Sequence, residues 1–178
     1  IPPQARIVSI EDTRELNLEH DNWLPSVARE GVGLANLVGQ KYGEVTMFNL
    51  LKESFRQNPD YVIVGEIRGE EAYVLFQGMA SGHPSFGTMH ANSVDTMIKR
   101  LETKPIDLSS SLVETMDVVV SITSTKRAGK NVRRVKKVDE IVSIDDVKGN
   151  VINSPFQWDV KNDKLVYAIE SHVFKKLV

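Results

Sequence analysis

Apolar positions follow one rhythm over the first two-thirds of the chain and another over the last third. Residues 6–10 form a short apolar run ending in Glu11 and Asp12. From there to Gly43, Pro25 and four glycines (Gly31, Gly33, Gly39, Gly43) predict a long loop. Thr46 is placed to cap a helix reaching Gln57, with Met47, Phe48, Leu51 and Phe55 along one side. Pro59 stops it, and Tyr61–Val64 is a continuous apolar run of the kind buried on both faces of a sheet. A second helix is predicted over 70–81, with Glu70 and Glu71 in the turn where the helix dipole favours acids, and Gly82 as its C-cap. Residues 85–89 read as a third strand. Ser93 then caps a helix whose Val94, Met97, Ile98 and Leu101 fall at i, i+3, i+4 and i+7. A short helix over 110–116 precedes a strand at 118–120. Beyond it the period becomes two, with turn signals at 128–131, 148–150 and 161–163. That pattern predicts an antiparallel meander of three or four strands, its 151–167 hairpin carrying Phe156 and Trp158 as a small packing face. The fold class is α/β, a mostly parallel core followed by an antiparallel extension.

Composition narrows the function. At 178 residues, 41% hydrophobic and 26% charged, the chain is long enough for one sizeable core and unlike disordered or collagenous sequence. Its 22 Lys and Arg against 24 Asp and Glu leave a net charge of -2, which gives no general attraction to nucleic acid or anionic lipid. Without cysteine there is no disulfide framework, Cys zinc site or thiol nucleophile. No apolar run approaches the roughly 20 residues of a membrane span.

In open parallel sheets ligands bind beyond the carboxyl ends of the strands. Three predicted strand ends are polar: Glu11-Asp12; Gly65-Glu66, followed by Ile67-Arg68-Gly69; and Thr88-Met89-His90-Ala91-Asn92. Two carboxylate clusters, an arginine and a histidine on one edge are components for hydrolysing a phosphoanhydride. Plainer readings stand beside this one. Glu66 would serve as an acid at a helix start, although Glu70 and Glu71 fill that role. Glu11-Asp12 would form a turn, and His90 would be a satisfied histidine on an apolar face. His20 and His172 have no motif around them and read as surface residues. The basic run Lys126, Arg127, Lys130, Arg133, Arg134, Lys136 and Lys137 straddles a predicted hairpin turn. It reads as a solvated edge that discourages strand addition, or as a site for phosphate or an acidic partner. Gly39-Gln40-Lys41 does not meet the phosphate-loop pattern GxxxxGK[ST], and no other stretch does.

Three blocks, in one order and spacing, resemble a known family. Residues 9–16, Ser-Ile-Glu-Asp-Thr-Arg-Glu-Leu, resemble its Asp box. Residues 58–68, Asn-Pro-Asp-Tyr-Val-Ile-Val-Gly-Glu-Ile-Arg, resemble its Walker B motif, with glycine where other such motifs place aspartate. Gly82-His83 with residues 87–93, Gly-Thr-Met-His-Ala-Asn-Ser, resembles its His box. The family is that of the type II/type IV secretion, pilus-assembly and archaeal-flagellum traffic ATPases. Thr13 to Leu16, Trp23 and the lack of a tetracysteine segment are most similar to its archaeal or conjugation branch.

The resemblance implies a partial RecA-like P-loop NTPase core over 1–125, with 126–178 as an antiparallel β extension of the same domain. It implies a hexamer that binds ATP and Mg²⁺ between subunits, on the cytoplasmic side and peripheral to the membrane. The implied partners are other copies and an integral membrane platform protein, with no nucleic acid. Glu66 would polarise the attacking water with Glu11 assisting, and His90 and His83 would sense the γ-phosphate or couple it to a neighbouring subunit. Asp12, with Glu66, would belong to the Mg²⁺ shell through water. Arg14 and Arg68 would neutralise charge or reach across subunits, and Thr88 would help bind the nucleotide. The family's Walker A loop lies upstream of its Asp box, so the chain, which starts at Ile1, is expected to be the distal part of a longer ATPase with little or no activity alone. Two other classes compete. One is a degenerate, non-catalytic module that binds a partner through the basic hairpin or the long loop. The other is a nucleic-acid-binding domain, which net charge and the lack of aromatics among the basic residues argue against.

Overall fold

Ten strands and helices, one of them a single 3₁₀ turn, precede Ala128 and the rest follow it in a computed structural model that describes residues 1–37, 39, 41–127, 129–145 and 149–177. Gln40 of the glycine-rich loop, and Ala128 and Lys148 of two predicted turns, lie outside the described residues. The chain divides into two compact units, residues 1–90 with 103–107, and residues 91–102 with 108 onward.

The first unit is built on four parallel strands: β1 (Ile7–Glu11), β2 (Trp23–Val27), β3 (Tyr61–Val64) and β4 (Ser85–Gly87), in the order β2-β1-β3-β4. All five residues of β1 are buried, because β1 is a central strand, paired on either side, in a parallel sheet covered on its faces. β2 is a correction to the sequence reading, which made all of this stretch a loop. It pairs with β1 from Ile7↔Trp23 to Glu11↔Val27 as an edge strand, the one place in a sheet where Pro25 can dispense with an N–H. Edge exposure also explains its weak apolar signal, since only one side of Trp23–Val27 meets another strand. Two isolated antiparallel bridges, Arg29↔Val45 and Val32↔Tyr42, tie the following segment together.

Helix α1 (Met47–Ser54) starts on the predicted cap. Asn49 N–H donates to Thr46 Oγ1 at 3.2 Å and Thr46 N–H returns to Asn49 Oδ1 at 3.0 Å, a capping box with Asn in the acid's usual place. A 3₁₀ turn, Phe55–Gln57, ends at Asn58, whose φ of 51° breaks the helix before Pro59. Helix α2 (Glu71–Ala80) buries Ala72, Leu75 and Phe76. Its Gly78 sits where a Cβ would lie 2.2 Å from Cζ of Phe55. An interior helical glycine normally costs about 1 kcal/mol relative to alanine. Here Gly78→Ala is expected to lower stability by about 2 kcal/mol, because overpacking against a ring outweighs the gain in propensity. Thermal unfolding of the variant measures this, and a raised Tm would refute it.

The second unit begins with α3 (Val94–Glu102), which buries Val94, Met97, Ile98 and Leu101 as their spacing predicts, with Thr96 N–H on Ser93 Oγ at 3.2 Å. After α4 (Ser110–Val113) come β5 (Val118–Arg127), β6 (Lys130–Ser143), β7 (Val151–Asp159) and β8 (Lys164–Tyr167), a four-stranded antiparallel meander in chain order. The strand expected at 118–120 is the start of β5, which runs unbroken through residue 127 and pairs with β6. Within the basic run, Arg134 makes two hydrogen bonds of 2.8 Å to Asp163, and Lys137 lies 3.0 Å from Asp139. The Arg134 bonds, aided by Trp158 and Arg127 and opposed by burial, hold the Asp163 carboxyl well below the usual carboxylate range. Helix α5 (His172–Leu177) comes last. No helix among the described residues is long and apolar enough to cross a membrane.

Candidate nucleotide-hydrolysis site

Three neighbouring strands end on one rim of the parallel sheet, and each brings chemistry. Glu11 closes β1, and its residue is only 2% exposed. Its Oε1 accepts the N–H groups of Glu15 and Leu16, both at 2.9 Å, so the last residues of the Asp box wrap over the carboxylate and fix it. Its Oε2 is buried with no hydrogen-bond partner among the described residues. Arg14 lies over the Trp23 ring, 5.2 Å from its centroid, and Trp23 Nε1 donates to Ser9 Oγ at 2.8 Å. Trp23 opens β2 in register with Ile7, so this contact draws Arg14 back toward the amino half of β2 and does not hold it at the rim.

Glu66 lies two residues beyond β3. Its Oε2 accepts from Arg68 Nη2 at 2.5 Å, and its Oε1 is 3.7 Å from His90 Nε2. Arg68 reaches on with Nη1 to Asp12 Oδ2 at 3.5 Å. Asp12, Arg68, Glu66 and His90 thus form one line along the rim, with Arg68 between the two acids and His90 at the end. The hydrogen bond and charge of Glu66, with Asp12 adding, raise the already high pKa of Arg68. At 92% exposure, the His90 side chain is no satisfied core histidine.

Two further residues shape the turn after β3. Thr88 donates its hydroxyl to the Gly65 carbonyl at 2.6 Å, and its carbonyl accepts Ile67 N–H at 2.8 Å, so it latches this turn to β4. Glu71 accepts the N–H groups of Arg68 (2.5 Å) and Gly69 (2.8 Å). Sequence reasoning read Glu71 only as a helix-dipole acid. Its position three residues after Arg68, at the start of a helix, was the available signal for this capping role.

His83 is not brought to the rim. It precedes β4 and so lies at the amino edge of the sheet, its ring edge-on to Phe55 at 5.0 Å between centroids. Its Nδ1 is buried without a hydrogen-bond partner among the described residues. An open depression of about 450 Å³ lies on that edge, lined by Ala5, Asp60, Tyr61 and His83 among others. It is remote from the carboxylates, and parallel sheets bind ligands at the other edge, so the rim is the better candidate.

Among the described residues no three His, Cys, Asp or Glu side chains are grouped to grip a metal directly. The donor set nevertheless fits hydrated Mg²⁺, which keeps several waters and takes few carboxylates. The unpartnered Oε2 of Glu11 and the carboxylates of Asp12 and Glu66 are the acceptors such waters would meet.

A parallel sheet with its polar groups on the carboxyl rim, followed by an antiparallel meander, defines an α/β protein, and its likeness to the solved secretion ATPase below makes the fold RecA-like. Residues 1–155 match the family described as "Type II/IV secretion system protein", and the chain belongs to that family. An uncharacterized protein of Methanocaldococcus jannaschii is 39% identical over 181 residues, covering 99% of this chain and 64% of its own length. Protein VirB11 of Agrobacterium fabrum is 41% identical over 97 residues, covering 53% of this chain and 26% of its own. The chain therefore spans less than two thirds of these relatives. Among solved structures, the VirB11 ATPase of the Brucella suis type IV secretion system aligns with a TM-score of 0.58 at 28% identity, covering 78% of this chain and 42% of that one. The Legionella pneumophila ATPase DotB, at 17% identity and a TM-score of 0.54 over 72% of this chain and 35% of that one, shares the fold.

Proposed function

We propose that this chain is the distal part of a secretion-type ATPase, carrying the groups that polarise water and balance charge at the site of ATP hydrolysis. The observation that supports this reading most is the Asp12–Arg68–Glu66–His90 line on one rim, beside the buried Glu11. Bound ATP with its Mg²⁺ would supply the phosphoanhydride and a cation to offset its charge. Glu66, held by Arg68, orients a water and takes up its proton density; this is positioning chemistry of the kind phosphoryl transfer requires. Asp12 accepts from the cation's water shell, and Arg68 offsets negative charge. His90, exposed next to Glu66, senses the state of the site, while Thr88 fixes the turn that carries Glu66. His83, on the opposite edge, is left for coupling to a neighbouring copy. A hexamer working against an integral membrane platform protein, on the cytoplasmic side, fits the family. The phosphate grip comes from a segment not in this sequence, since GxxxxGK[ST] occurs nowhere in it.

The test compares ATP turnover by the longer natural protein with turnover by these 178 residues alone. The longer protein is expected to hydrolyse ATP and the chain alone to show little or none. Comparable turnover by the chain alone would overturn the assignment of the phosphate grip, and an inert longer protein would overturn the enzyme reading.

A further inference from the structure

The basic run from Lys126 to Lys137 reads from sequence as a guarded edge or as a site for phosphate or an acidic partner. Strand order removes the first reading for most of it. Arg133, Arg134, Lys136 and Lys137 belong to β6, which has β5 on one side and β7 on the other, so they guard no edge. Two of the lysines also break the alternation of their strand. Lys137 is opposite Ser121 and Val135 is opposite Ile122, which leaves Lys136 as the extra residue of a bulge. Adjacent side chains on a regular strand point to opposite faces, and a bulge re-aims one of them. Lys136 and Lys137 thus line a single depression of about 270 Å³, with Thr123, Gln157, Trp158 and Val160 as its other walls.

This depression is braced from outside and short of negative charge. Trp158 Nε1 donates to Asp163 Oδ1 at 3.0 Å, and Arg134 grips the same carboxylate with its two 2.8 Å bonds. Lys137 Nζ lies 3.0 Å from Asp139 Oδ1, which also accepts Ser154 Oγ at 2.5 Å. Asp159 is taken up by the N–H groups of Lys161 and Asn162. Among the described residues no carboxylate lies within ion-pair distance of Lys126, Lys130, Arg133 or Lys136. Lys136 therefore brings an unanswered positive charge to a pocket with a fixed aromatic wall.

We propose that this depression docks an acidic segment of a partner protein. One carboxylate of the segment is held by the Lys136 and Lys137 ammoniums, and an apolar neighbour packs on Trp158 and Val160. The unanswered cations continue along the β5–β6 hairpin at Lys126, Lys130 and Arg133, where further acids of the same segment meet them. Charge complementarity of this kind speeds encounter and sets register. A single small anion would leave those three cations unused. Single-stranded nucleic acid stacks on a series of aromatic faces, and this pocket has one. The inference uses no residue of the nucleotide rim and stands apart from the ATPase reading.

The test titrates the 178-residue chain carrying Trp23→Phe, in which Trp158 is the sole tryptophan. The probe is the peptide acetyl-Glu-Leu-Asp-Glu-Leu-Asp-amide, with pyrophosphate and a deoxythymidylate hexamer compared at the same ionic strength. The peptide is expected to change Trp158 emission saturably and to bind more tightly than either of the others. Lys136→Glu is expected to weaken peptide binding at least about 10-fold. Because Lys136 is exposed, that variant should keep its Tm within about a degree. Lys52→Glu, the same charge reversal at an exposed position of α1, should leave peptide affinity within about 2-fold. No saturable change with the peptide, an equal loss in the two lysine variants, or binding of pyrophosphate or the oligonucleotide as tight as that of the peptide would overturn the inference.

Discussion

Glu66→Gln in the longer protein is expected to leave nucleotide affinity nearly unchanged and to lower ATP turnover by about 100- to 10,000-fold, the usual contribution of a positioned proton acceptor. The substitution keeps the side chain's length and an oxygen able to accept from Arg68, which now lies 2.5 Å from the carboxylate. It removes the charge that draws a proton from water. Arg68 keeps its second acid, Asp12, at 3.5 Å, so the rim should hold its shape. Steady-state turnover and equilibrium nucleotide binding, measured on the same preparation, separate the possibilities. Unchanged turnover would remove Glu66 from its proposed role, and a matching loss of affinity would make it part of the nucleotide grip instead.

Glu140→Ala is expected to cost about 3 kcal/mol of stability, the scale on which buried donors lose an ionised partner. Glu140 is 3% exposed on β6 and gathers four donors: Ser171 Oγ, Asn153 Nδ2 at 2.8 Å, and the N–H groups of His172 at 2.8 Å and Val173 at 3.3 Å. It thus anchors the start of α5, while Ser171 Oγ caps Phe174 N–H at 3.0 Å. Burial alone would raise the Glu140 pKa, but these hydrogen bonds outweigh it and leave the pKa lowered. A carboxyl whose pKa falls on folding stabilises the fold fully above its unfolded pKa and loses that contribution as pH drops through the folded value. The stability gap between the natural chain and Glu140→Gln should therefore narrow on acidification. Denaturant unfolding from neutral to acid pH measures the gap, and a constant difference would refute the linkage.

The rim was legible because strand ends can be read from sequence: 6–10 and Tyr61–Val64 are unmistakable apolar runs, and the residues just past a parallel strand face its ligand edge. Glu11, Glu66 and His90 fell into place on that rule. His83 did not, although it shares a motif with His90. The three residues of β4 lie between them and advance the chain by about 10 Å, so the two histidines leave from opposite edges. Residues 118–120 showed a strand but neither its length nor its partner, since an apolar triplet looks alike in a parallel and an antiparallel sheet. β2 was hidden by Pro25 and by its place at the edge. The Glu140 cluster leaves no local trace, because its partners are distant along the chain and only the fold unites them. Nor does sequence reveal that Arg68 would bridge two acids, a matter of side-chain direction alone.

The chain's two tryptophans belong to different units, Trp23 on β2 with its indole on Ser9, and Trp158 on β7 with Nε1 on Asp163 at 3.0 Å. Each indole is thus a built-in fluorophore for one half of the molecule. With Trp158→Phe, emission arises from the parallel sheet alone, and with Trp23→Phe from the meander alone. A pair of single-fluorophore melts can thereby resolve whether the halves come apart in one cooperative transition or in two.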